Sequence, residues 1–190
     1  MPLTHIALGA NLPSPAGPPA ATLAAAAERL ASLGRIAARS SLYSTAPVGL
    51  AHQPRFLNAV IALETSLAPR DLLNALLSIE HSYGRDRATS IPNGPRPLDL
   101  DILLFDDLIL SEPGLEIPHP RFAQRAFVLI PLNEIAPHAR DPRSSLIVSQ
   151  LLADLLANSP QSASSVVPIA NALWRDSGHA ARTAPELPPR

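Results

Sequence analysis

Asp99 and Asp101, one residue apart in PLDLDILLF, form the strongest chemical signal in this sequence. Side chains at i and i+2 of a strand leave on the same face, so two carboxylates would project together while Leu98, Leu100 and Ile102 pack behind them. Aspartate is depleted in strands, and two like charges side by side repel unless cations lie between them. Hard oxygen ligands at this spacing suit Mg²⁺, which takes one or two carboxylates and completes its shell with water and substrate phosphates. A strand whose polar face simply meets water has the same pattern, so D-x-D alone leaves both readings open.

The neighbouring residues bear on that choice. Arg85, Arg87 and Arg96 lie in GRDRATSIPNGPRP, directly before the aspartates, and guanidinium groups bind phosphate oxygens bidentately. Cations beside a Mg²⁺ site fit a polyphosphate held between them; each arginine taken singly also fits a solvated surface. All 15 basic residues are arginine, which removes the phosphate-binding lysines of Walker-type loops and protein kinases. A coding bias towards arginine explains the lack of lysine equally well.

Three further positions carry weaker signals. Glu80 stands at the margin of an apolar helical stripe, where it faces either a cleft or open water. His119, in PHPR, suits a phosphate donor, an acid or base, or a turn residue. Phe56 and Asn58 share one face of a strand, and an aromatic plane with an amide that both donates and accepts matches a flat heterocycle with an amide-like edge. Core packing and a strand-end cap account for the same pair.

The elements that must position these residues follow from periodicity and punctuation. Thr4 to Leu8 is a short apolar run closed by Gly9, as in a buried strand, and an alanine-rich helix is predicted from about Ala20 to Leu33. Ile36 to Thr45 and Phe56 to Leu67 read as strands, separated by the loop TAPVGLAHQP. Leu72, Leu76, Ile79 and Tyr83 recur at helical spacing within Pro69–Tyr83. The segment from Gly84 to Pro97 has no period, three prolines and two glycines, which predicts a functional loop, a lid over the site. Leu98 to Phe105 is a strand, followed by turn and short helix, and Ser144 to Asn158 is a last amphipathic helix. The order strand, helix, strand, strand, helix, strand predicts an α+β fold. It is a ferredoxin-like split β-α-β plait, with helices on one face of a mainly antiparallel sheet. Residues 1–158 form the expected domain, and 159–190, rich in serine, alanine and proline and holding the sole tryptophan, Trp174, a weakly ordered extension.

Composition sets the outer bounds. An apolar fraction of 46% with 16% charged residues excludes general disorder, and a net charge of -1 gives no reason to expect nucleic acid as partner. Without cysteine, disulfides and thiolate chemistry are excluded. No stretch approaches the ~18 apolar residues of a membrane span, and the expectation is a cytoplasmic monomer acting on small molecules.

Taken in order, ALGANL, STAPVG, QPRFLNAV, the glutamate of IEHSYGR, GPRPLDLDILLF and PHPRFAQRAFVLIPLNEIAP resemble the 6-hydroxymethyl-7,8-dihydropterin pyrophosphokinase family over about Thr4 to Pro137. That resemblance implies two Mg²⁺ ions on Asp99 and Asp101, and ATP as co-substrate. It implies a pterin alcohol stacked between Phe56 and Phe127 and read by Asn58 and by backbone near Thr45 and Val48. It also implies ATP contacts at Glu80, Arg87, Arg96, Ile102, His119 and Arg125, with Arg85 and Arg96 as loop arginines that serve transfer. Ala10, Phe56 and Asn93 depart from frequent family residues, a serine, a tyrosine and an aromatic. Two other classes fit parts of the pattern. A nucleotidyltransferase-like enzyme would require a third carboxylate, and a non-catalytic ligand-binding plait leaves the paired aspartates unexplained.

Overall fold

The computed structural model describes residues 1–50, 52–87, 91 and 93–176. The chain opens with β1 (Leu3–Ala10), α1 (Pro19–Ala31), β2 (Arg35–Arg39), β3 (Leu42–Thr45), β4 (Phe56–Glu64), α2 (Pro69–Ser82) and β5 (Asp99–Phe105). The remainder is β6 (Leu110–Glu112), β7 (Leu115–Ile117), a short 3₁₀ turn at Phe122–Gln124, α3 (Ala126–Ile135), α4 (Val148–Asn158), α5 (Gln161–Ser164), β8 (Val167–Ile169) and α6 (Ala172–Asp176). The main sheet runs β5-β1-β4-β3-β8, with β2 also on β4. β1 is antiparallel to both β4 and β5. This is the split plait expected from the sequence.

Alternation along the strands divides the molecule into two cores. Ile6 and Leu8, Ile61 and Leu63, and Leu100 and Ile102 all join one cluster with α1 and α2 residues such as Leu23, Leu30, Leu72 and Leu76. α1 starts at Pro19, where the missing N–H is not needed, and its buried alanines bring it close to the sheet. In α2 the stripe Leu72, Leu76, Ile79 is buried, each side chain contributing about 1.5–3 kcal/mol. The opposite residues of the same strands, Ala7, Val60 and Leu103, pack with Val128, Leu129 and Leu132 of α3 and Val148 and Leu151 of α4. Thus α1 and α2 take the face assigned to the helices by the sequence, and α3 and α4 cover part of the other. The uncovered part of that second face is where Asp99 and Asp101 emerge.

The strand predicted over Ile36–Thr45 is two strands, because it breaks at Ser40. The Ser40 N–H donates to Val60 O at 3.0 Å, and its Oγ accepts from Val60 N at 2.9 Å. A side-chain oxygen therefore replaces a ladder carbonyl, and the chain kinks without leaving Val60 unpaired. Gly34 is required just before β2, since a Cβ there would stand 2.1 Å from Glu64 O. The β6–β7 hairpin was not legible in the sequence; three-residue strands are too short to establish a period.

Within the segment that follows residue 158, the structure describes the chain as far as Asp176. β8 pairs with β3, and Trp174 is only 4% exposed, its indole N–H donating to Ser40 O at 2.8 Å. Proline-rich composition hid these elements because they are stabilised by contacts far away in the chain and not by their own periodicity. Of the predicted lid, residues 88–90 and 92 lie outside the described residues. No helix among the described residues is long and apolar enough to cross a membrane.

Candidate active site

The register of the sheet lines up the two chemistries. Gly9 of β1 pairs with Asn58 on one side and Asp99 on the other, and Ala7 pairs with Val60 and Asp101. Two strand spacings, roughly 10 Å, thus separate the amide of Asn58 from the carboxylate of Asp99. The residues between are small. A Cβ at Gly9 would approach Asn58 Oδ1 to 3.0 Å, so glycine leaves Asn58 its position.

Asp99 is held by two guanidiniums, Arg96 Nη2 at 2.9 Å and Arg85 Nη2 at 3.7 Å. The Nε of each arginine is buried with no hydrogen-bond partner among the described residues, leaving donors for an anion. Arg96 also lies over the Phe56 ring at 5.0 Å. Asp101 is different in character. Burial, and then the charge of Asp99, push its carboxyl up to about 6, against the pull of Arg125, Arg87 and Arg96. Its side chain is nevertheless 36% exposed and open to a ligand.

These residues fit a magnesium site. Two oxygen donors share one face, and one of them lies where its charge is penalised until a cation arrives. Among the described residues no group of three His, Cys, Asp or Glu could hold a metal, so substrate oxygens and water must complete the shell.

His119 faces the same carboxylates, its Nε2 4.0 Å from Asp101 Oδ2. Burial, then Arg125 and Arg121, hold the imidazole down at about 4, so it is neutral at physiological pH. The Arg121 N–H donates to Nδ1 at 3.1 Å, which places the remaining proton on Nε2, toward the site. His119 is thus a neutral donor rather than a base.

Three cavities adjoin these carboxylates, the third of them around the β5 edge of the sheet. The first, about 270 Å³, is lined by Thr45, Val48, Phe56, Asn58, Phe127 and Arg125, among others. Asn58 Nδ2 donates to Thr45 Oγ1 at 2.7 Å, fixing the amide so that Oδ1 is its open polar atom. The second, lined by Asp99, Asp101 and His119, shares Asn58, Arg96, Arg125 and Phe127 with the first. A third, about 300 Å³, shares Asp101 and His119 with the second and is lined by Arg87, Ile102, Leu73 and Leu115. An aromatic-walled slot, a carboxylate pair and a half-apolar pocket therefore follow one another without interruption.

The model of the 7,8-dihydro-6-hydroxymethylpterin-pyrophosphokinase (HPPK) family matches residues 5–137. A 2-amino-4-hydroxy-6-hydroxymethyldihydropteridine pyrophosphokinase of Pseudomonas aeruginosa is 50% identical over 138 residues, 73% of this chain and 83% of that protein. One of Methylorubrum extorquens is 44% identical over 135 residues, 70% of this chain and 82% of that one. The chain belongs to the HPPK family. Among solved structures, the HPPK-DHPS triple mutant of Plasmodium falciparum crystallised with pteroate superimposes with a TM-score of 0.68 at 15% identity. That match covers 87% of this chain and 46% of that one, and it bears on the fold alone.

Within the HPPK domain the structure brings together most of the residues that the sequence singled out, and three of them call for comment. Glu80 is not at the cleft: it is 1% exposed, accepts two bonds of 2.8 Å from Arg87 and one of 2.7 Å from Leu100 N. Leu100 lies between the two aspartates, so Glu80 anchors the metal strand. Arg85, although it lies eleven residues before Arg96 in the chain, is the more buried of the two, at 12% against 20%. Asn93, which stands where the family often has an aromatic, takes a left-handed φ of 58° that asparagine tolerates, and it lines the first cavity.

Sequence reasoning missed Asn11 and Gln53. Asn11 Oδ1 accepts from Arg96 N at 2.7 Å, and its Nδ2 donates to Gln53 Oε1 and Pro54 O. Gln53 in turn donates to Asn93 O at 2.8 Å. Together they tie the loop after β3 to the arginine loop. An asparagine directly after a buried strand was the available signal, since such a residue must find partners once buried.

Proposed function

We infer that this HPPK-family chain transfers the pyrophosphoryl group of ATP to the hydroxymethyl oxygen of 6-hydroxymethyl-7,8-dihydropterin, releasing AMP, in folate biosynthesis. The observation that carries this reading is the unbroken sequence of cavities, with Asp99 and Asp101 in the middle one. The acceptor ring lies between Phe56 and Phe127, read by Asn58, while ATP occupies the third cavity against Ile102 with its phosphates extending to the carboxylates.

Asp99 and Asp101 would hold a pair of magnesium ions, which supply positive charge to the triphosphate. Arg96, Arg85 and Arg87 bind its oxygens, and His119 donates its Nε2 proton to one of them. The pterin oxygen attacks the β-phosphorus, the bond from that phosphorus to the α–β bridging oxygen breaks, and the hydroxyl proton leaves to solvent. No side chain acts as base, since His119 is a donor and Asp101 is occupied. Alignment of acceptor and donor by the walls of adjoining cavities accounts for much of the acceleration. In this reading the chain works as a cytoplasmic monomer on small molecules, with no nucleic acid as partner.

Incubation with MgATP and the pterin alcohol tests it. AMP and pterin diphosphate are expected in equal amounts; ADP, or no pterin-dependent AMP, would overturn it.

A further inference from the structure

We propose that the segment from Ser165 to Trp174 is a strap that positions the acceptor pocket, acting on pterin affinity through β3. The proposal rests on the reading of the first cavity as the pterin pocket. The family model matches residues 5–137, and this segment follows that match in the chain.

β3 is only four residues long and carries Thr45 at its end. Thr45 pairs with Phe56, and Tyr43 with Asn58, so β3 is the strand against which both pocket residues are registered. Left as a sheet edge, so short a strand has few bonds to keep it from fraying. β8 removes that edge by pairing Val167 with Ser44, Pro168 with Tyr43 and Ile169 with Leu42. Pro168 then ends the sheet, since proline offers no N–H to a further strand.

The strap is fastened at both ends of β3. At the pocket end Arg55, directly before Phe56, donates from Nε to Ser44 Oγ at 2.9 Å and from Nη2 to Ser44 O at 3.1 Å and Ser165 O at 2.8 Å. One guanidinium thus joins strap, β3 and the start of β4. At the far end the buried Trp174 donates to Ser40 O, at the break between β2 and β3, and the Arg39 guanidinium lies 3.6 Å over its indole. A segment that served global stability alone would have no reason to meet the pocket strand at both of its ends. Loosening either end frees Thr45 from Asn58, and with it the orientation of the amide that reads the heterocycle. The nucleotide cavity is lined by residues of β5, α2 and the β6–β7 region, with none from 165–174 among its lining.

Titration calorimetry on the full chain tests this, with the pterin alcohol in the presence of a non-hydrolysable MgATP analogue, and with that analogue alone. Arg55→Ala, an exposed change that leaves the core intact, and Trp174→Ala should each weaken pterin binding about tenfold while analogue binding is unchanged. Trp174→Phe, which keeps burial and the aromatic face, should recover most of the loss. Unchanged pterin affinity in Arg55→Ala would overturn the proposal, and that variant decides the matter if Trp174→Ala does not fold. Equal losses for both ligands would also overturn it, leaving a purely structural role. If the unaltered chain failed to bind the pterin at all, the assignment of the cavity itself would fall, and the strap with it.

Discussion

At the acceptor end of the site Asn58 and Thr45 already hold each other at 2.7 Å, and Phe56 is buried in place before any ligand arrives. At the phosphate end the opposite holds. The Asp101 carboxyl is pushed toward protonation, His119 away from it, and Arg85 and Arg96 each keep a buried Nε without a partner among the described residues. A neutral heterocycle can be met by a pocket finished in advance, because its recognition needs fixed direction more than charge. A charged polyphosphate with metal is better met by groups whose own pairing is incomplete, since the ligand then supplies the missing charges.

The largest expected effect comes from breaking the charged end. Asp101→Ala should lower turnover ~10²-fold or more, with the pterin alone still bound, as measured by steady-state kinetics and calorimetry. Near-normal turnover would show that the carboxylate pair is not the metal site.

Arg96→Ala should blur the difference between the two ends, because the same guanidinium lies on Asp99 and over Phe56. Turnover should fall about 10- to 100-fold, in line with the loss of a charge-assisted contact, and MgATP affinity should fall less. In single-turnover experiments, a loss confined to nucleotide binding would make Arg96 a docking residue only.

Asn58→Ala tests the finished pocket. Pterin binding should weaken by about 1–3 kcal/mol as polar groups lose their partner, while MgATP binding stays as it was. Equal losses for both ligands would mean that the two ends are not separable in this way.

The smallest effects are those of pH. Because the Asp101 carboxyl is raised to about 6, proton and metal compete for it, and MgATP affinity should fall about tenfold from pH 7 to pH 5, with proton release on binding. The same shift has the reverse sign for stability. The folded state holds the Asp101 proton more tightly than the unfolded state does, so stability is lost as pH rises through about 6. The metal-free Asp101→Asn variant should therefore melt higher than the parent at pH 7, with the difference vanishing below the ordinary carboxyl value of 3.8. A lower melting temperature at pH 7 would contradict the raised carboxyl.

Much of the contrast between the two ends is legible in the amino-acid sequence. Period-2 and period-3.6 patterning place β1, β4, β5, α1 and α2 within a few residues, because each buries a continuous stripe. The face shared by Asp99 and Asp101, and that shared by Phe56 and Asn58, follow from strand geometry alone. Hidden from the sequence were features that depend on partners distant in the chain. Glu80 looked like a cleft residue because a helix margin says nothing of what packs there, and only the fold brings Arg87 and Leu100 N to its carboxylate. Asn11 and Gln53 carried no pattern, since a polar bridge between two loops is a matter of proximity.

By itself the sequence determined which residues carry chemistry and on which side of each strand they stand, since alternation along a strand is a local property of the backbone. Tertiary structure decided how those strands are ordered and registered. It thereby set Asn58, Gly9 and Asp99 in one row, buried Glu80 behind the metal strand, and brought Trp174 back onto Ser40 across 134 residues. Each of these depends on long-range pairing and burial, whose free energy comes from contacts that no local window of residues contains.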